Sequence, residues 1–88
     1  MGAVVIGELE RRRLRWRARR GLLENDILVT RYLDRHEASL TVDDVLALEA
    51  LLDLPDNELL DLLLARKEPA GALDDNAVRT VLDGLRSV

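Results

Sequence analysis

Arg20 and Glu24 stand four residues apart with Gly21 beside them, in the pattern Arg20-Gly21-x-x-Glu24. If the backbone is helical on either side, the two charged side chains share one face, next to a residue that has no side chain. A partner's backbone can approach such a spot closely, while a guanidinium and a carboxylate supply charge-assisted hydrogen bonds. The chemistry on offer is recognition. The pattern sits inside Trp16-Arg17-Ala18-Arg19-Arg20-Gly21-Leu22-Leu23-Glu24-Asn25-Asp26, where an arginine-dense helix is interrupted by one glycine. Taken alone it is also what an ordinary helix junction shows, with Gly21 ending one helix and Arg20–Glu24 forming a surface pair of a few tenths of a kcal/mol.

Other residues that could do chemistry are sparse. The chain has no cysteine, hence no disulfide, thiolate metal site or nucleophilic thiol. His36 is the only histidine and falls near a predicted helix end, where the dipole favours its charge; without cysteines beside it, it is not read as a metal ligand. The carboxylate pairs Asp43-Asp44 and Asp74-Asp75 suit helix starts better than general acid and base partners. No catalytic residue and no metal site is therefore assigned. Trp16 is expected as half-buried packing on the arginine helix.

These residues need a scaffold, and 88 residues make one small domain, 1–88. A chain of this size buries roughly 60 to 65% of the surface its unfolded form exposes, which leaves no room for a deep catalytic cavity. Apolar residues recur at three- and four-residue steps and no run of alternating β-branched residues appears, so the fold class is all-α, a small five-helix bundle. The first helix spans about 7–19, with Leu9 and Trp16 on its inward stripe and Leu14 off it. The second runs from beyond Gly21 to about His36, burying Leu22, Val29 and Leu33 with Leu28 and Tyr32 alongside. Thr41-Val42-Asp43-Asp44 has the form of a capping box that starts the third, and Pro55 ends it near Asp53. The fourth takes Asp56 as its cap, places Leu59, Leu60, Leu63 and Leu64 inward, and ends at Arg66-Lys67. The fifth starts near Asp74 or Asp75 and packs Val78, Val81, Leu82 and Leu85.

Charge is uneven. Residues 1–20 carry seven arginines against Glu8 and Glu10, a net of plus five; residues 21–88 carry six basic against fifteen acidic side chains, a net of minus nine. The basic end is a candidate docking surface, and the acidic remainder would repel nucleic acid and anionic membrane. The apolar run Ala3 to Ile6 is far short of the roughly 20 residues that cross a bilayer, and its flanks lack a signal peptide's basic start. Ile6 also stands where a myristoylation signal wants Ser or Thr. The chain is expected to be soluble and cytoplasmic.

The arginine–glycine stretch resembles the RGxxE signature of the FAD assembly factors of succinate dehydrogenase, in the arrangement W-x-x-R-R-G-x-x-E-x-D, through Trp16, Arg19, Arg20, Gly21, Glu24 and Asp26. Asp56 to Leu63 is similar to that family's later D-x-D-L-x-x-W-L helix, with Pro69 following, so the resemblance covers roughly residues 10–70. Departures are Glu58 for aspartate, Leu62 for tryptophan, and Tyr32-Leu33 for a phenylalanine pair. The resemblance implies a bacterial, cytoplasmic, non-enzymatic monomer that promotes covalent attachment of FAD to the flavoprotein subunit of succinate dehydrogenase and, in some bacteria, fumarate reductase. It implies no cofactor held by the chain itself, since FAD and the histidine that bonds to it belong to the flavoprotein. On this basis the partner-binding residues are Arg20, Gly21, Glu24, Arg19, Asp26 and Trp16. Gly21 would permit close approach, Arg19 and Arg20 would reach carboxylates or carbonyls, and Glu24 and Asp26 would orient those arginines or meet basic groups.

Two readings from other classes stay open. One is an antitoxin of a toxin–antitoxin pair. The other is a nucleic-acid-binding module using Arg11 to Arg20 for phosphate contacts, although only Trp16 could stack a base there.

Overall fold

Short-range chemistry sets most of the helix boundaries. A computed structural model describes residues 5–18 and 23–88, and in them five α-helices follow one another: α1 (Glu8–Arg17), α2 (Leu23–His36), α3 (Val42–Leu52), α4 (Asp56–Leu63) and α5 (Asn76–Arg86). Short 3-10 turns at Glu37–Ser39 and Gly71–Leu73 complete the path. No strand occurs among the described residues; Val5 and Thr41 form one isolated antiparallel bridge, supported by the Ile6 amide donating to the Leu40 carbonyl at 3.0 Å. Leu22 and the glycine break expected at Gly21 lie outside the described residues.

The capping box at α3 is complete. The Asp44 amide donates to Thr41 Oγ1 at 3.2 Å and the Thr41 amide donates to Asp44 Oδ2 at 3.0 Å, so two amides that the helix leaves unpaired are satisfied reciprocally. Asp75 caps α5 by accepting from the Ala77 amide at 2.7 Å. At α4 the cap position belongs to Pro55, and Asp56 is the first helical residue, a correction of one position. The ring fixes Pro55 near the φ of −55° that it shows here, a value ready for helix entry.

The end of α4 differs from the expected run to Arg66-Lys67. Ala65 takes a left-handed backbone with φ 58°. Its amide donates to the Leu62 carbonyl at 3.1 Å, and the Arg66 amide donates to the Asp61 carbonyl at 2.8 Å. These two bonds form a Schellman ending, in which glycine is the usual residue at the left-handed position. Arg86, from the last turn of α5, then donates from Nε to the Leu62 carbonyl at 2.8 Å and from Nη2 to the Lys67 carbonyl at 3.2 Å. A guanidinium thus closes the carbonyl end of a helix 24 positions upstream.

The core is aliphatic. Val29 and Leu33 of α2, Val45, Leu48, Leu51 and Leu52 of α3, Leu59, Leu62 and Leu63 of α4, and Val78, Val81, Leu82 and Leu85 of α5 are buried together. On α4 the inward face therefore includes Leu62, while Leu60 is only partly buried and Leu64 lies exposed, because the left-handed turn lifts the chain away after Leu63. Tyr32 is buried with Val29 and Leu33, and Leu28 packs against the cluster from its edge. Gly84 makes room for Tyr32: a Cβ there would stand 2.7 Å from Cε1 of the ring. Burial raises the Tyr32 phenol to about 12, with Asp44 adding to the effect.

α1 binds this core by a different face from the one expected. Leu14, at 2% exposure, and Ala18 point inward, whereas Leu9 and Trp16 are 63% and 75% exposed. Four residues separate Leu14 from Ala18, so they share a face; Leu9 and Trp16 project from the opposite side of the helix. Ion pairs choose between the two faces. Arg15 pairs with Asp34 of α2 at 2.8 Å and with Glu37, and Arg17 pairs with Glu49 of α3 at 3.2 Å and Asp53 at 2.5 Å. Only with Leu14 inward can the two arginines flank it and reach both neighbouring helices.

Candidate functional site

Glu24 and Asp26 lie in the first turn of α2, where carboxylates complement the positive end of the helix. Glu24 is exposed and Asp26 is partly buried. Arg19, Arg20 and Gly21 lie outside the described residues. Trp16, expected half-buried, presents its indole to solvent because Leu14 occupies the inward face. It lines an open groove of about 890 Å³ between α1, the segment entering it and α3. Ile6, Leu14 and Val45 form the apolar floor, while Val5, Val42 and Leu46 rim the groove with Trp16.

Neither Glu24 nor Asp26 lines that groove. The described signature residues thus occupy two surfaces: Trp16 looks over the groove, and the carboxylates stand at the head of α2. There they have apolar company of their own, since Leu23 and Ile27, one turn apart, are exposed. Exposed large apolar side chains beside charged ones are the composition of a protein-binding surface.

The arginine helix is less free than its sequence suggests. Partial burial works against the charge on Arg15, but hydrogen bonds to Asp34 and Glu37 outweigh it and raise its pKa. The hydrogen bond to Asp53 likewise raises that of Arg17. Arg12 pairs with Glu8 one turn back at 3.0 Å. Arg11 and Arg13 make no ion pair among the described residues. Two of the five guanidiniums in α1 therefore hold the helix in place.

His36, at the last turn of α2, packs against Tyr32 with ring centroids 4.7 Å apart. Among the described residues no group of three or more His, Asp or Glu side chains is placed to hold a metal ion, and no helix is long and apolar enough to cross a membrane.

Asn25, between the two signature carboxylates, has no solvent exposure. Its Nδ2 donates to the carbonyl of Asp56, in the first turn of α4, at 3.1 Å. The sequence held a signal for this: positions 25, 29, 32, 33 and 36 follow the three- and four-residue steps of one helix face, so Asn25 shares the stripe of Val29 and Leu33.

Comparison with known proteins converges on one group. A family model described as flavinator of succinate dehydrogenase, Sdh5, matches residues 12–87. A protein of Ralstonia nicotianae named FAD assembly factor SdhE is 67% identical over 78 residues, covering 89% of this chain and 82% of that protein. Proteins of the same name from Coxiella burnetii and Pseudomonas aeruginosa are 36% and 33% identical, covering 83% and 86% of this chain and 89% and 90% of their own lengths. No solved structure matches.

Proposed function

This chain belongs to the Sdh5 family, the flavinators of succinate dehydrogenase, and on that premise we propose that it works as an FAD assembly factor. It promotes covalent attachment of FAD to the flavoprotein subunit of succinate dehydrogenase. The observation that carries this conclusion is the family match over residues 12–87, which takes in the signature from Trp16 to Asp26 together with α2 to α5. The bond-forming atoms belong to the flavoprotein, FAD stays with that subunit, and the chain acts without catalysing the step itself. The proposal includes fumarate reductase as a second client, a single domain over 1–88, a monomer, and residence in the bacterial cytoplasm.

The mechanism consists of binding one conformation of the flavoprotein more tightly than others. A factor helps only through that difference, and a tenfold preference corresponds to about 1.4 kcal/mol. Glu24, exposed at the head of α2, and Trp16, exposed on α1, are proposed to meet the flavoprotein, with Arg19, Arg20, Gly21 and Asp26 completing the surface. Leu23 and Ile27 add apolar area beside Glu24, and a buried aromatic or arginine anchor surrounded by weaker contacts is the usual anatomy of such an interface.

The test uses a strain lacking its native factor. Gly21→Arg puts a long side chain where the partner comes close, and Glu24→Ala removes an exposed charge. Both variants should remain helical by circular dichroism and lose most covalent flavinylation, read as in-gel flavin fluorescence of the denatured subunit. The wild-type chain should also co-purify with the flavoprotein before flavinylation and release it afterwards. Full fluorescence with both variants would remove the signature from the mechanism.

A further inference from the structure

Asn25 is the buried polar side chain among the described residues, and its hydrogen bonding is incomplete. The carboxamide offers two donors and an acceptor. One donor is used, on the Asp56 carbonyl at 3.1 Å, and Oδ1 is buried without a hydrogen-bond partner. A buried acceptor left unpaired costs about 1 to 3 kcal/mol, while the single bond returns about 0.5 to 1.5 kcal/mol. A leucine, whose side chain has the same number of heavy atoms, would therefore suit the stability of the fold at least as well. What leucine would lack is direction.

The core partners of α2 are otherwise aliphatic, and attraction of that kind allows more than one rotation. A hydrogen bond to one carbonyl of α4 does not. Consecutive residues of a helix are 100° apart, since 3.6 make a turn, so holding Asn25 inward sends Glu24 and Asp26 out on either side of it. A slip of one position would carry Glu24 off its exposed side.

We infer that Asn25 is a positioning residue, whose buried bond to the Asp56 carbonyl sets the rotation of the first turn of α2 and so the direction in which Glu24 and Asp26 meet the flavoprotein. The inference rests on the proposed function, in which those carboxylates face the partner.

The experiment compares three full-length proteins: wild type, Asn25→Leu and Val29→Ala. Each is melted by circular dichroism and then assayed, well below its Tm, for the rate of FAD attachment to purified flavoprotein subunit across a series of factor concentrations. Asn25→Leu should melt at or above the wild-type temperature and show a flavinylation rate lower by about tenfold at subsaturating concentration, the effect of losing about 1.4 kcal/mol of selective binding. The concentration for half-maximal rate should rise correspondingly. Val29→Ala, which removes buried methyl groups from the same face without touching the bond, should melt lower and keep its rate within twofold of wild type. An Asn25→Leu protein as stable and as active as wild type would overturn the inference. So would one in which activity falls only in step with stability, as in a residue that serves the fold alone. A wild-type chain that does not accelerate flavinylation defeats the proposed function instead, and the two failures are read from different samples.

Discussion

α1 and the α3–α5 pair are held by opposite means. α3 and α5 meet over the most extensive interhelical contact in the structure, through aliphatic side chains such as Leu48, Leu51, Val81 and Leu82 with almost no exposure. α1 contributes Leu14 and Ala18 and relies for the rest on Arg15 and Arg17 reaching carboxylates on two sides. Attraction between apolar groups is non-directional and escapes charge screening; ion pairs at a surface are weak, screened and geometrically selective. The helix leading into the proposed partner-binding signature is thus oriented by charge, while the domain that carries it is stabilised by apolar packing. Orientation and stability can change separately.

Substitutions should separate them in a graded way. The largest effect belongs to the aliphatic pair: Leu82→Ala or Leu48→Ala should destabilise the whole domain by about 2 to 5 kcal/mol, seen as a lower Tm for every helical signal together. Unchanged melting would mean that the core lies elsewhere. Leu14→Ala removes the one leucine of α1 from the core and should cost about 2 kcal/mol. Its signature is local, with faster amide hydrogen exchange in α1 than in α3 and α5; equal acceleration everywhere would make α1 an integral part of the core.

Gly84→Ala tests the seat of Tyr32. In an open helix position this change gains up to about 1 kcal/mol of helix propensity, but here the new methyl group meets the ring at 2.7 Å, and overpacking costs about 1 to 3 kcal/mol. A net loss near 1 kcal/mol is expected by chemical denaturation, and a net gain would show that the ring moves freely. Arg17→Ala should cost about 0.5 to 1 kcal/mol at low salt and less at high salt, as Arg17 is partly exposed; a loss independent of salt would assign the effect to packing of its stem.

Tyr32→Phe should have the smallest effect at neutral pH and a visible one only in alkali. The folded-state pKa of about 12 lies above the ordinary 10.0, so the neutral phenol's contribution is intact below pH 10 and is lost as pH rises through 12. The phenylalanine variant should outlast wild type at pH 11 by circular dichroism. Equal alkaline unfolding of the two proteins would contradict the raised pKa.

Legibility in the sequence followed the same division. Where a boundary depends on neighbours a few residues away, as with Thr41 and Asp44 or Pro55, the local chemistry was sufficient. The inward faces of α2 and α5 were equally plain, because Val29 and Leu33, and Val78, Val81, Leu82 and Leu85, repeat at helical steps. α1 offered only Leu9, Leu14 and Trp16 among its arginines, and the choice among them is made by Asp34, Glu37, Glu49 and Asp53, all distant in sequence. Ala65 escaped notice because a left-handed ending is ordinarily announced by glycine. Asn25 escaped because its neighbours Glu24 and Asp26 carry the charges, although its register pointed inward.

Arg86 gives the chain an order of events. The carbonyl end of α4 is complete only when the last turn of α5 has been made, and α3 has no full apolar partner until Val78 to Leu85 arrive. A growing polypeptide that stops before Asn76 keeps the inward face of α3 wet and lacks the guanidinium that closes α4. Translation therefore has to run through α5 before the domain can close, and the stretch from Trp16 to Asp26 waits for residues some sixty positions downstream.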